Sequence, residues 1–393
     1  MNQDIRYTVV NSACELDPFH WEQVVSGRGF FVSLDYLKAL ENASIAGLSF
    51  RYVILYRANE PVAVFCFQAV DLSDEGLGGV LNLDQYGGLS SAIAATINGL
   101  LFKSNEQGKP TVLVCGSLLS SGEYGMVAID DNSLLLAGSH FQKVKNSVLE
   151  SLKGSRIVAE MIKDFYSYNG NLMHWFLPGM GFPLRTDPEM ILDLNPEWRS
   201  FEDYLAALSS KYRVRANAVR RSLEGVQEQV LSEKNLLDHQ VVIRGLFQEV
   251  FAKAPIRLVN PGFEYIHALK RQLGDRFVIT GYMLRGELIA FRTAIIHGGV
   301  LEAHYIGLNY GLNRELDLYQ NILYGLIDDA ISHRCVKVYY GRTALEIKSV
   351  VGAKPHALQC YMRFNNKVLN TVTKAIVGSL GPKDWIQRNP FKE

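Results

Sequence analysis

The chain has 393 residues, with 40 Lys and Arg against 40 Asp and Glu, 48% hydrophobic residues and 20% charged residues. That length suits two domains that each bury a core, and the composition excludes a disordered or fibrous protein. The neutral total hides an asymmetry: residues 1–195 carry 13 basic and 21 acidic residues (13 − 21 = −8), whereas residues 196–393 carry 27 and 19 (27 − 19 = +8).

From the N-terminus, Met1-Asn2-Gln3-Asp4-Ile5-Arg6 has neither the basic nor the apolar region of a signal peptide. The uncharged stretch Gln85–Phe102 is diluted by Gly, Ser, Thr and Asn, so it reads as loop plus buried helix. No membrane span is expected, and the expected location is cytoplasmic. Phe50–Tyr56 and Val62–Val70 read as a hairpin around Ala58-Asn59-Glu60-Pro61. A buried strand Thr111–Gly116, a helix Leu134–Lys153 and a strand Arg156–Phe165 follow. A helical turn Met173-His174-Trp175-Phe176, then Gly181-Phe182-Pro183 and a strand Met190–Leu194 close this half.

After a capped helix from Trp198 to Leu205 comes Lys211-Tyr212-Arg213-Val214-Arg215-Ala216-Asn217-Ala218-Val219-Arg220-Arg221, five basic residues in eleven and none acidic. Guanidinium groups match phosphate oxygens bidentately, so the segment reads as phosphate-contacting; a linker helix with offset charges is the plainer alternative. Without a helix-turn-helix or zinc pattern, DNA is not an expected partner.

Three strand-length runs, Phe277–Leu284, Leu288–Ile296 and Val300–Leu308, are joined by short Gly-containing turns and predict an antiparallel meander. A loop Asn309–Asn313 leads to a helix from about Arg314 to His333, whose Tyr319, Ile322, Leu323, Leu326, Ile327, Ala330 and Ile331 form one apolar face. A strand Val336–Tyr340, a helix around Ala344–Val351 and a strand Ala357–Phe364 complete the chain. Period-two alternation puts Glu302, His304 and Ile306 on one face of the third meander strand, and Ala303, Tyr305 and Gly307 on the other. The fold class is α+β, with domains 1–195 and 196–393, the second entered by a basic helix within 209–225. Gly181-Phe182-Pro183 and Gly352-Ala353-Lys354-Pro355 occupy matching places, which suggests two copies of one fold. Five scattered cysteines, with no Cys-x-x-Cys pair, point neither to a disulfide framework nor to a metal site.

The element order of the second half resembles the GNAT acyltransferase fold. Leu208-Ser209-Ser210-Lys211-Tyr212-Arg213-Val214-Arg215 is similar to the basic segment that opens the second domain of the Fem-type (FemABX) branch of tandem GNAT proteins. The run Tyr340-Gly341-Arg342-Thr343-Ala344-Leu345-Glu346-Ile347-Lys348-Ser349-Val350-Val351-Gly352-Ala353-Lys354-Pro355 is similar to that branch's G-x-x-x-x-[YFE]-x-K-x-x-x-G segment, and Phe31–Leu37 to the entry of its first domain.

The resemblance implies two tandem GNAT-like domains, each a mixed, mostly antiparallel sheet flanked by helices. It implies acyl or aminoacyl transfer from an activated donor to an amine, with acyl-CoA or aminoacyl-tRNA as co-substrate and no permanently bound cofactor. The acceptor would be a small molecule or precursor, anionic in character, of the cell wall (peptidoglycan) or another kind; tRNA is then a partner. Lys348 matches the lysine that lies at the active site of Fem-type enzymes, and the strand Leu301–Leu308 matches the splayed GNAT strand. Candidate catalytic groups are Lys348, His304, Glu302 and Tyr339; candidate binding groups are Lys211, Arg213, Arg215, Arg342 and Glu346. The plainer alternatives are an exposed helix lysine at 348, an Arg342–Glu346 ion pair, and a solvated sheet face at Glu302 and His304. The loop Asn309-Tyr310-Gly311-Leu312-Asn313-Arg314-Glu315 has one glycine where acyl-CoA enzymes carry a Gly-rich pyrophosphate loop, and Glu315 opposes an anion there. The competing class is a non-catalytic GNAT-like protein that binds an anionic ligand.

Overall fold

The computed structural model describes residues 4–73, 107–166, 181–254, 258–371 and 384–392. The stretch Gln85–Phe102 and the turn Met173–Phe176 lie outside the described residues. In chain order the elements are β1 (Ile5–Val10), α1 (Pro18–Val25), α2 (Leu34–Asn42), β2 (Leu48–Arg57), β3 (Glu60–Asp71), β4 (Lys109–Cys115), β5 (Met126–Ala128), α3 (Asp131–Ser151), β6 (Ser155–Tyr166) and β7 (Phe182–Arg185). There follow β8 (Glu189–Asp193), α4 (Phe201–Ala207), α5 (Ser210–Arg221), β9 (Val226–Val230), α6 (Glu233–Asp238), α7 (Gln240–Phe251) and α8 (Gly262–Leu273). The last group is β10 (Phe277–Leu284), β11 (Glu287–His297), β12 (Val300–Leu308), α9 (Tyr310–Leu316), α10 (Leu318–Ser332), β13 (Lys337–Tyr339), α11 (Leu345–Val350), β14 (Lys354–His356) and β15 (Leu358–Phe364). Among the described residues, no helix is long and apolar enough to cross a membrane.

The chain divides into two compact units, one of residues 1–186, 254–261 and 358–382 and the other of residues 187–253, 262–357 and 383–393. The first sheet has the order β1-β2-β3-β4-β6-β15-β7, with β5 added to β3. Only the β4–β6 pair is parallel. The second sheet has the order β9-β10-β11-β12-β13-β8-β14, and only its β12–β13 pair is parallel. Read side by side, the orders are the same. The strand expected to close the first half, β8, instead lies in the second sheet, and β15 lies in the first. Each exchanged strand is short and apolar with a partner on both sides, so side-chain pattern does not tell one sheet from the other.

The matched prolines confirm the correspondence. Pro183 is in β7 and Pro355 in β14, the end strands of the two sheets, where a missing N–H breaks no ladder. Gly181 and Gly352, just ahead of them, have φ of +95° and +98°. A Cβ at Gly181 would lie 1.9 Å from the Met362 carbonyl oxygen, and one at Gly352 would lie 2.4 Å from the Phe391 ring.

In the second unit the expected helix 314–333 is broken. Asp317 takes a left-handed conformation (φ 43°), so the chain forms α9 and then α10, and the expected loop 309–313 is mostly helical. Asn309 caps α9 by accepting from Gly311 N at 2.8 Å. The core under α10 gathers Ile322, Leu323, Leu326, Ile327, Ala330 and Ile331 against Leu301, Leu308 and Val338. Within it, Arg292 is 4% exposed and bonded to Asp329 through Nε (2.8 Å) and Nη2 (3.0 Å), to Glu228 (2.6 Å) and to the Tyr282 hydroxyl (2.5 Å).

Candidate active site

The two sheets differ at their parallel pair. In the first unit, β4 stays paired with β6 through its whole length, from Lys109 with Ser155 to Cys115 with Ile162. In the second, β12 pairs with β13 only from Val300 with Lys337 to Glu302 with Tyr339, while its other edge remains on β11 to Leu308. Beyond Glu302, then, β12 and β13 part into a wedge.

The wedge is associated with a β-bulge. The register between β11 and β12 shifts between Arg292 and Ala294, so that His304 and Tyr305 together oppose Thr293. The Thr293 hydroxyl, wholly buried, donates to Tyr305 O (2.8 Å) and accepts from Tyr305 N (2.7 Å), replacing both ladder bonds. This corrects the expected alternation. His304 and Tyr305 point to the same face, against α7 and α8: His304 Nε2 is 2.8 Å from the Tyr265 hydroxyl, and the Tyr305 ring meets Phe247 and Tyr265 edge to face. After the bulge Gly307 keeps to that face, where a Cβ would meet Phe291 and Leu246, and Ile306 turns to the core under α10.

Glu302 occupies the last paired rung, at the vertex of the wedge. Its carboxyl is 7% exposed, faces His297 Nε2 at 3.6 Å, and is pushed by burial up to about 8, so near neutrality it is mostly protonated. His297 is lowered to about 4, by burial and then by Arg276, and burial lowers His304 to about 3; both imidazoles are neutral at ordinary pH. Tyr339 shares the rung of Glu302 and therefore its face. Tyr340 points the other way and donates to Leu323 O of α10 at 2.9 Å.

The candidate cations divide. Lys348 is not an exposed helix lysine: it is 4% exposed, and its Nζ donates to the carbonyls of Tyr340 (2.7 Å), Gly341 (3.3 Å) and Arg342 (2.5 Å). Burial pulls it down to about 7, while the Glu189 and Asp187 carboxylates act to raise it. Three carbonyls match the three donors of an ammonium. The turn they hold continues into Thr343 and Ala344, both left-handed without being glycine (φ 66° and 49°), a conformation that needs such support. A Lys348→Met variant should lose about 1–3 kcal/mol of stability by leaving these carbonyls unpaired; an unchanged denaturant midpoint would contradict that role. Arg342 is half-buried in the same turn. Glu346 is exposed and ion-paired with Arg388 rather than Arg342. Lys211, Arg213 and Arg215 lie in the first half of α5, which packs on α10; Arg215 Nη2 reaches Gln320 Oε1 in the first turn of α10 at 3.3 Å. They are on the α10 side of the sheet, opposite the face of Glu302, His304 and Tyr339.

Sequence reasoning passed over Thr293 and Tyr265. Thr293 sits in a strand where threonine is ordinary, and nothing local marks it as a bulge holder. At the start of α10 Tyr319 N is occupied by Asn313 Oδ1 (2.9 Å), and at the start of α9 Tyr310 N by Glu249 Oε2 (3.0 Å). Among the described residues, no group of His, Cys, Asp and Glu is placed to hold a metal ion.

No protein-family model matches the sequence, and no curated protein matches it. Among solved structures the fold is similar to that of FemX, with TM-score 0.54 and 9% identity over 95% of this chain and 100% of that one. It is also similar to a tandem GNAT protein from the clavulanic acid biosynthesis pathway, with TM-score 0.51 and 8% identity over 97% and 100% of the two chains. The fold is therefore α+β, two units in tandem that are GNAT-like in architecture and similar to FemX and the tandem GNAT protein.

Proposed function

We propose that the second unit is an N-acyltransferase and that transfer occurs in the wedge between β12 and β13. The observation that carries this reading is the parting of these strands beyond the Glu302–Tyr339 rung, which puts a buried carboxyl and a phenol at the vertex of an opening. In its ionised form Glu302 takes a proton from the acceptor ammonium. The neutral amine attacks the carbonyl carbon of the donor, the bond to the donor's oxygen or sulfur breaks as Tyr339 protonates the departing atom, and the phenolate left behind takes the second proton from the new amide nitrogen. His304, held by Tyr265, positions the acceptor side. Lys348 acts on the turn that follows β13, keeping Arg342 in place.

Lys211, Arg213 and Arg215 would take the phosphates of the donor from the α10 side, leaving the acceptor to enter over α7 and α8. Asn313 and Glu249 already occupy amides where a CoA pyrophosphate would dock, and a carboxylate there repels it. An aminoacyl-tRNA is therefore the donor we favour over acyl-CoA, with an anionic, amine-bearing precursor such as a nucleotide-linked cell-wall peptide as acceptor.

The test is transfer of radiolabel. The chain is incubated with that acceptor and either labelled aminoacyl-tRNA or labelled acetyl-CoA. A labelled amide from the tRNA donor is the expected product. A product from acetyl-CoA alone reverses the choice of donor, and no amide from either defeats the enzyme in favour of a protein that only binds an anionic ligand.

A further inference from the structure

A second feature of this unit lies at the C-terminal end of α10. A groove of about 410 Å³ is lined by residues of α4, α5 and α10, with Phe201 and Leu205 as its apolar groups and Arg199, Glu202, Asn217, Arg220 and Asp328 as its charged and amide groups. That volume suits a small ligand. Asp328 is half-buried and makes no hydrogen bond or ion pair among the described residues, in contrast to its neighbour Asp329, which Arg292 holds through two bonds.

The surroundings of Asp328 disfavour a negative charge on balance. Burial and the adjacent Asp329 both raise its pKa, and Glu228 adds to them, outweighing the opposing pull of Arg220 and Arg292. It lies near the C-terminal end of a helix, where the backbone dipole opposes an anion. Those two guanidiniums are already engaged, Arg220 with Glu228 at 3.0 Å and Arg292 with Asp329 and Glu228. A carboxylate kept at such a position, with no cation of the protein bonded to it, marks a place for a cation from outside.

The rest of the groove says what that cation is attached to. Arg199 is exposed and commits Nη1 to Pro196 O (2.6 Å), leaving Nη2 able to donate to a carboxylate at the rim. Phe201 and Leu205 line the same groove. We propose that this groove binds an α-amino acid with an apolar side chain, its ammonium on Asp328 and its carboxylate on Arg199. The site uses none of the groups assigned to acyl transfer and stands independently of that reaction.

Leucine titrated into the full chain should raise the melting temperature in proportion to its occupancy and give saturable heat in calorimetry. 4-Methylpentanoate, which is leucine without the amine, should do neither. In Asp328→Asn the affinity for leucine should fall at least tenfold, while the unliganded variant melts at or above the wild-type temperature because an uncompensated charge has been removed. The proposal is overturned by no response to leucine, by an equal response to 4-methylpentanoate, or by undiminished binding in the variant. A lower melting temperature of unliganded Asp328→Asn also overturns it, by showing that the carboxylate serves the fold.

Discussion

Glu302→Gln should slow acyl transfer by about a hundred- to ten-thousandfold with the fold intact, the range over which a positioned general base contributes. The amide keeps the shape of the neutral carboxyl but cannot accept a proton. Because burial pushes the carboxyl up to about 8, the wild-type kcat/KM should climb with pH and level off above that value. The limb should vanish in the variant. Stability runs the opposite way. The folded carboxyl holds its proton up to about 8 against an ordinary value of 4.5, so between those values the native chain binds more protons than the unfolded one. The stabilisation is complete below 4.5 and is lost as pH rises through 8, and the Glu302→Gln substitution would remove this dependence. A rate within about threefold of wild type, or a pH limb that survives the substitution, would remove Glu302 from the mechanism.

Arg292→Met should be the most destabilising of the single changes considered, by about 3 kcal/mol, because it takes charge-assisted hydrogen bonds from the half-buried Asp329 and leaves the wholly buried Tyr282 hydroxyl without its partner. Asp329 loses two bonds and Glu228 one, and the Tyr282 hydroxyl loses its partner. The space for the guanidinium is itself specified: a Cβ at Gly325, on α10, would lie 2.6 Å from the Arg292 guanidinium carbon. Chemical denaturation should show a lowered midpoint with little change in slope. Replacing Arg292 and Asp329 together by apolar residues should cost less than Arg292→Met alone, since the half-buried carboxylate is then not left without its cation. A single variant as stable as wild type would mean that the bonds made by Arg292 add nothing to the fold.

Much of the architecture could be read from local pattern. The β10–β12 meander announces itself through its glycine turns, and α10 through a single apolar face. The prolines at 183 and 355 revealed the internal correspondence, because an end strand is where proline does no harm. What escaped depends on contacts distant in sequence. The bulge at His304–Tyr305 arises from a threonine hydroxyl on the neighbouring strand, so period-two alternation fails there with no local warning. The break at Asp317 needs a left-handed residue that is not glycine. Lys348 could be singled out from a resemblance, but its three carbonyl partners exist only once the turn at 341–344 has formed. The basic run of α5 is plain in the sequence, whereas its place opposite Glu302 follows from packing on α10.

The exchanged strands have a consequence for synthesis. Translation is vectorial, and β15 belongs to the sheet built from the first 185 residues. That sheet cannot be closed between β6 and β7 until residue 364 has left the ribosome, so the nascent first half must wait with two strand edges unpaired. β8 emerges early and waits in turn for β13 and β14. Truncated chains ending before Leu358 should therefore associate through those edges, and a cut between the halves should not yield two proteins that fold alone.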